Sequence, residues 1–126
     1  MLATFFYQKT YRYHEEIKKM KLLSRIEEII LLSILRLGDE AYGMAIQEEV
    51  VKATGKKWLL GAIYGPLGRL HKNQYVISVK GEPTPERGGR AKVYYQVTQK
   101  GKDALVEIYR VNSTIWEGIT PQKFAG

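Results

Sequence analysis

The 126-residue sequence has no cysteine, two histidines and four prolines. Without thiols it forms no disulfide and no thiolate metal site, a composition that fits a reducing compartment. His14 and His71 lie in different segments, so neither a zinc set nor a nucleophile with an imidazole base is expected, and no cofactor is. Long apolar runs are missing as well: "IILLSILRL" is broken by Ser33 and Arg36 and is too short to cross a bilayer. The opening "MLATFFYQKTYRYHEEIKKMK" sets aromatics ahead of basic residues, the reverse of a secretory signal, so a cytoplasmic location is expected. The acid pairs Glu27–Glu28 and Glu48–Glu49 fall in helical stretches, where adjacent side chains diverge by about 100°. They read as solvated surface rather than acid–base chemistry, and with no triad or phosphate loop in the chain no enzyme activity is expected.

Positive charge is present, and it is concentrated. The chain carries a formal charge of +7, yet residues 22–55 hold three basic residues against six acidic ones. Residues 56–102 hold ten basic residues against Glu82 and Glu86 alone. A patch of one sign over one stretch is the footprint of a polyanion partner.

Four helical stretches and one hairpin account for most of the chain. In "LSRIEEIILLSILRLG", Ser24 and Glu27 have the spacing of a capping box. Ile26, Ile29, Ile30, Ile34 and Leu37 follow at helical intervals, and Gly38 is the stop. "DEAYGMAIQEEVVKATG" reads as a second helix with Ile46, Val50 and Ala53 on one face. In "LLGAIYGPLGRLHKNQ", Ile63, Leu67 and Leu70 make a buried stripe with Pro66 at its edge. Its other side holds Gly61, Gly65, Gly68 and Lys72, almost bare backbone. "QYVISVK" alternates with Tyr75, Ile77 and Val79 on one face, and "AKVYYQVT" answers with Val93, Tyr95 and Val97. The loop from Gly81 to Arg90 joins them, too long for a two-residue turn and stiffened by Pro83 and Pro85. After Thr98, an N-cap, Leu105, Ile108, Asn112, Ile115 and Ile119 advance by threes and fours as a coiled-coil seam does, and a second copy is the expected partner.

The expected fold is mainly α with a small β-hairpin: a winged helix-turn-helix plus a C-terminal dimerisation helix. Residues 1–21 form an N-terminal extension, 22–98 the DNA-binding domain, 99–119 the dimerisation helix and 120–126 a tail. Two readings of the extension stay open: an extra helix with Tyr7, Tyr11 and His14 on one side, or translation starting at Met20. The third helix is presented to a major groove of double-stranded DNA. The hairpin carries Arg87 and Arg90 to the neighbouring backbone or minor groove, and Gly88 and Gly89 let the loop follow that surface.

The segments "LSRIEEIILLSILRLGDEAYGMAIQEEV", "LGAIYGPLGRL" and "GEPTPERGGRAKVYYQVTQKGKDAL" together resemble the PadR family of bacterial transcription regulators, over residues 22–105. The resemblance implies a homodimeric DNA-binding regulator, usually a repressor, of its own or a neighbouring operon. It implies DNA contacts from Tyr64 and Arg69, a wing made of Arg87, Gly88, Gly89, Arg90 and Lys92, and subunit pairing through the last helix, with Leu105, Ile108, Asn112 and Ile115. By the same resemblance Trp116 would bind a small hydrophobic effector that releases the DNA. Two features depart from the family pattern. No Ser or Thr caps the third helix, where Trp58, Leu59 and Leu60 stand, and glycines occupy the base-reading positions. Phosphate contacts and DNA shape are therefore expected to supply most of the binding, with base discrimination limited to Tyr64, Arg69 and Lys72. A winged-helix adaptor that binds protein or RNA through the same basic face is the alternative.

Overall fold

The computed structural model describes residues 21–125 other than Thr84, Glu86, Arg87, Gly89 and Arg90. Its order is α1 (Arg25–Leu37), a 3-10 turn (Gly38–Glu40), α2 (Gly43–Thr54), α3 (Leu60–Lys72), β1 (Val76–Pro83), β2 (Ala91–Val97), α4 (Gln99–Trp116) and a second 3-10 turn (Pro121–Phe124). The N-terminal extension, with Tyr7, Tyr11 and His14, lies outside the described residues.

Helix α1 starts as its sequence dictates. The Ser24 amide donates to Glu27 Oε1 at 2.8 Å and the Glu27 amide donates to Ser24 Oγ at 3.3 Å, so two orphan donors of the first turn are satisfied reciprocally. Ile30, Leu31 and Ile34 point inward and join Ile46 and Val50 of α2 and Ile63, Leu67 and Leu70 of α3 in one core. Each such side chain, fully withdrawn from water, contributes about 1.5–3 kcal/mol. This burial outweighs the poor helix propensity of α3, which keeps Pro66 inside the helix with its ring buried. Helix α3 is held at its start by Trp58: Gln47 Nε2 donates to the Trp58 carbonyl at 2.6 Å, and Trp58 Nε1 donates to Thr54 Oγ1 at 2.9 Å.

Four local expectations are corrected. Helix α2 begins at Gly43 rather than near Asp39, because Ala41 and Tyr42 are held by β2: the Tyr95 amide donates to the Ala41 carbonyl at 2.8 Å, and Tyr42, extended, bridges Tyr94. At the other end of α2, Ala53 is exposed and Thr54 turns inward instead, its hydroxyl occupied by Trp58. Glu28 is buried rather than solvated, bonded to Arg25 Nη1 at 2.6 Å and to Asn112 Nδ2 at 3.4 Å. Finally, the inward phase of β1 is the opposite of the one its alternation suggests. Val76 is buried while Ile77 and Val79 are each 48% exposed. Register explains it. Val76 faces Val97, Ser78 faces Tyr95 and Lys80 faces Val93, so on β1 only the first residue is buried in the core, while Tyr95 and Val97 of β2 pack at its edge and Ile77 to Lys80 are exposed.

Helix α4 is anchored where it leaves the hairpin. Thr98 Oγ1 accepts from the Gly101 amide at 3.1 Å and donates to the Gln74 carbonyl at 2.7 Å. Gly101 packs directly on the Tyr75 carbonyl, so closely that a methyl group there would collide with the backbone. Ala104 and Leu105 finish the core, Ile108 packs at its edge, and beyond Asn112 the helix leaves the domain.

Candidate nucleic-acid interface

The outward face of α3 follows from its inward one. With Ile63, Pro66, Leu67 and Leu70 buried, the 3.6-residue repeat leaves Gly61, Gly65, Gly68 and Lys72 along the centre of the exposed side. Tyr64, 46% exposed, borders this strip on one flank and Arg69 on the other. Among the described residues no side chain fills the space at these glycines. A Cβ added at Gly61 or Gly68 would meet no atom within 4 Å, and one at Gly65 would meet only Arg69 Nη1 at 3.9 Å.

Tyr64 is seated by α2. Its hydroxyl lies against the Cα of Gly43, where any side chain would displace it. On its other side stands Tyr95, whose phenol is pushed above its ordinary pKa first by burial and then by the neighbouring Tyr64. Arg69 lies on the opposite flank, beside a surface depression shared with Glu27, Asn73, Tyr75 and Lys100. Lys100 itself is engaged, donating to the Asn73 carbonyl at 2.9 Å with its ammonium 5.1 Å from the Tyr75 ring centre.

The wing rises from the same side. Strands β1 and β2 pair antiparallel, with the register shifting between Lys80 and Pro83 as the chain enters the tip. At the tip Gly88 takes a φ of 64°, and its amide donates to the Pro85 carbonyl at 3.0 Å. Arg87, Gly89 and Arg90 lie outside the described residues. Lys92, at the base of the wing, stands with its ammonium 4.0 Å from the centre of the Tyr42 ring. Tyr42 also meets the Tyr94 ring edge-on, centroids 5.9 Å apart. Sequence spacing alone assigns Tyr42 to a helix and misses this clasp. Its only local mark is an aromatic–glycine pair, with no Ser, Thr, Asp or Asn at the N-cap position, directly before an apolar helical run.

The residues expected to pair subunits divide into two groups. Leu105 is only 9% exposed and is a core residue of its own chain, Ile108 packs on that core, and Asn112 reaches Glu28 of α1. Ile115 is 69% exposed, and Val106 and Tyr109 are exposed on other sides of α4. Trp116, half exposed, meets Phe124 of the tail edge-on, centroids 6.3 Å apart. Among the described residues no helix is long and apolar enough to cross a membrane, and no cluster of His, Asp and Glu is fit to hold a metal ion.

Comparison with solved structures finds this architecture repeatedly. A PadR family transcription regulator from hypervirulent Clostridium difficile is 26% identical, with a TM-score of 0.57 over 79% of this chain and 98% of that one. A PadR-like transcription factor from Bacteroides fragilis is also 26% identical, with a TM-score of 0.60 over 75% of this chain and 85% of that one. A transcriptional regulator from Clostridium thermocellum, 24% identical with a TM-score of 0.57 over 75% of this chain and 91% of that one, shares the fold. No curated protein sequence matches. Residues 31–107, from the middle of α1 into α4, match the transcriptional regulator PadR-like family, and the chain belongs to that family.

Proposed function

We propose that this regulator is a homodimeric repressor of its own or a neighbouring operon, gripping double-stranded DNA with α3 in one groove and the wing at the next. The observation that carries the reading is the exposed strip of α3. Three glycines there weaken the helix by about 1 kcal/mol each relative to alanine, and no contact among the described residues requires them. A surface that allows another backbone to approach is the use such a strip has. The flanking Tyr64, Arg69 and Lys72 then supply what base discrimination there is, while phosphate contacts and DNA shape supply the rest. Arg87, Gly88, Gly89, Arg90 and Lys92 form the wing's contribution.

Subunit pairing is assigned to the outer part of α4. Ile115, on the same face as Ile108 and two turns further along, offers apolar surface where the helix has left its own domain. A second copy of the same helix covers such a face most simply, because a two-fold axis makes one patch complementary to itself. Trp116 is the residue assigned to a small hydrophobic effector.

The test is a salt titration of binding to a duplex from upstream of the protein's own gene, beside a scrambled duplex and single-stranded RNA. The native duplex is expected to bind tightest. Arg87→Ala and Arg90→Ala are each expected to lower the slope of log affinity against log salt by about 1. Equal affinity for all three nucleic acids would leave the adaptor reading in its place.

A further inference from the structure

Between α3 and the base of the wing lies a cleft of about 810 Å3, lined among others by Tyr42, Gly43, Tyr64, Gly88, Lys92 and Tyr95. A duplex that offers one groove to α3 and the next to the wing carries the intervening sugar–phosphate strand across this gap, since each groove is bounded by phosphates. Among the described residues the cation lining the cleft is Lys92, and its surroundings are unusual for a surface lysine. A lysine's four-carbon stem ordinarily spreads its charge over many rotamers. A carboxylate partner would localise the ammonium but neutralise it, and among the described residues no ion pair involves Lys92. The π-face of Tyr42, 4.0 Å away, localises the charge and leaves it positive. The ring is itself held: Tyr94 meets it edge-on, and the Tyr42 backbone bridges that of Tyr94.

We infer that Tyr42 is a positioning residue for DNA binding, which holds Lys92 as an un-neutralised cation at this cleft to meet a phosphodiester of the strand crossing between the two grooves. The inference rests on the DNA-binding reading above. It assigns a role to the tyrosine of the "AYG" motif, at the start of α2, that acts through a lysine fifty residues later in the chain.

A double-mutant cycle tests it, using a fluorescein-labelled duplex from upstream of the protein's own gene. Lys92→Gln is expected to weaken binding and to lower the salt slope by about 1. Tyr42→Leu is expected to weaken binding about 2- to 5-fold, the population an exposed cation–π contact holds. In the Lys92→Gln background it should weaken binding no further, and Tyr42→Phe should bind as the unaltered protein does. The inference is overturned if the Tyr42→Leu and Lys92→Gln losses add in full, if Lys92→Gln leaves the slope unchanged, or if Tyr42→Phe binds as poorly as Tyr42→Leu, which would make the hydroxyl a direct ligand. Proton NMR of the unaltered protein decides the case if Tyr42→Leu does not fold. The ε-methylene protons of Lys92 should be shifted upfield by the ring, also in Tyr42→Phe, and random-coil positions would overturn the placement. Failure of the unaltered protein to prefer the duplex over single-stranded RNA sinks the DNA-binding reading itself, whereas normal duplex binding with a fully additive cycle sinks only the role of Tyr42.

Discussion

Replacing Gly65 and Gly68 together by alanine separates folding from binding on a single face of a single helix. Both residues are inside α3, both are exposed, and neither has a positive φ. A methyl group at Gly68 meets nothing within 4 Å, and at Gly65 it meets only the end of the Arg69 side chain at 3.9 Å. No strain offsets the gain in helix propensity, which is about 1 kcal/mol per site, or about 2 kcal/mol for the pair. In a domain of this size that raises Tm by about 8–16 °C. The same methyl groups stand on the surface proposed to face DNA, so affinity for the native duplex should fall even as the protein becomes harder to melt. Thermal scans by circular dichroism and anisotropy titrations on the same samples check both halves. A higher Tm with unchanged or tighter DNA binding would refute close approach as the reason for the glycines, and a lower Tm would refute the premise that nothing inside the chain needs them.

Three further outcomes are expected. Gly101→Ala should destabilise the fold by about 1–3 kcal/mol, read as a drop in denaturation midpoint, because the added methyl meets the Tyr75 carbonyl, which is backbone and cannot rotate away. Substitutions along α4 should split by position: Leu105→Ala costs about 2–5 kcal/mol of stability as a core truncation, whereas Ile115→Asp leaves the core intact and should convert the proposed dimer to monomer in sedimentation. Stability should also fall at alkaline pH. Burial and then Tyr64 raise the Tyr95 pKa, so the folded state retains a proton that the unfolded state releases near pH 10, and the contribution is complete below about pH 10 and is lost as pH rises through the folded value; Tyr95→Phe should flatten that part of a Tm-versus-pH curve.

What the sequence made legible is what short-range forces decide. The capping box needs only Ser24 and Glu27, three residues apart, and it forms as the spacing says. Helix α3 is readable through its glycines and Pro66 because Ile63, Leu67 and Leu70 keep one period and one core receives them. The misses share a cause of the opposite kind. Ala41 and Tyr42 are pulled out of α2 by β2, with Tyr95 as the hydrogen-bond donor. Glu28 is buried by an α4 residue 84 positions away. Alternation in "QYVISVK" states a period but not which phase faces inward, and the overlap of Val76 alone with the core settles it. The stripe through Leu105, Ile108 and Asn112 has the same spacing whether its partner is a second copy or the chain's own α1, so spacing could not divide it from Ile115.

Glycine is used in two opposite senses in this fold, and the contrast bears on where its function lies. At Gly43 and Gly101 the missing side chain is filled from within, by the Tyr64 hydroxyl and the Tyr75 carbonyl. Those two sites are accounted for by packing, and the first fixes the position of an aromatic on the exposed side of α3. At Gly61, Gly65 and Gly68 the space stays open, in a helix that also carries an internal proline and whose N-cap, Leu59, provides no side-chain hydrogen bond. Helices α1 and α4, away from the strip, have side-chain caps from Ser24 and Thr98. Helix α2 also lacks a side-chain cap, but α3 joins that lack to an internal proline and three exposed glycines. Exposed glycines that no contact among the described residues requires point to a partner outside the chain.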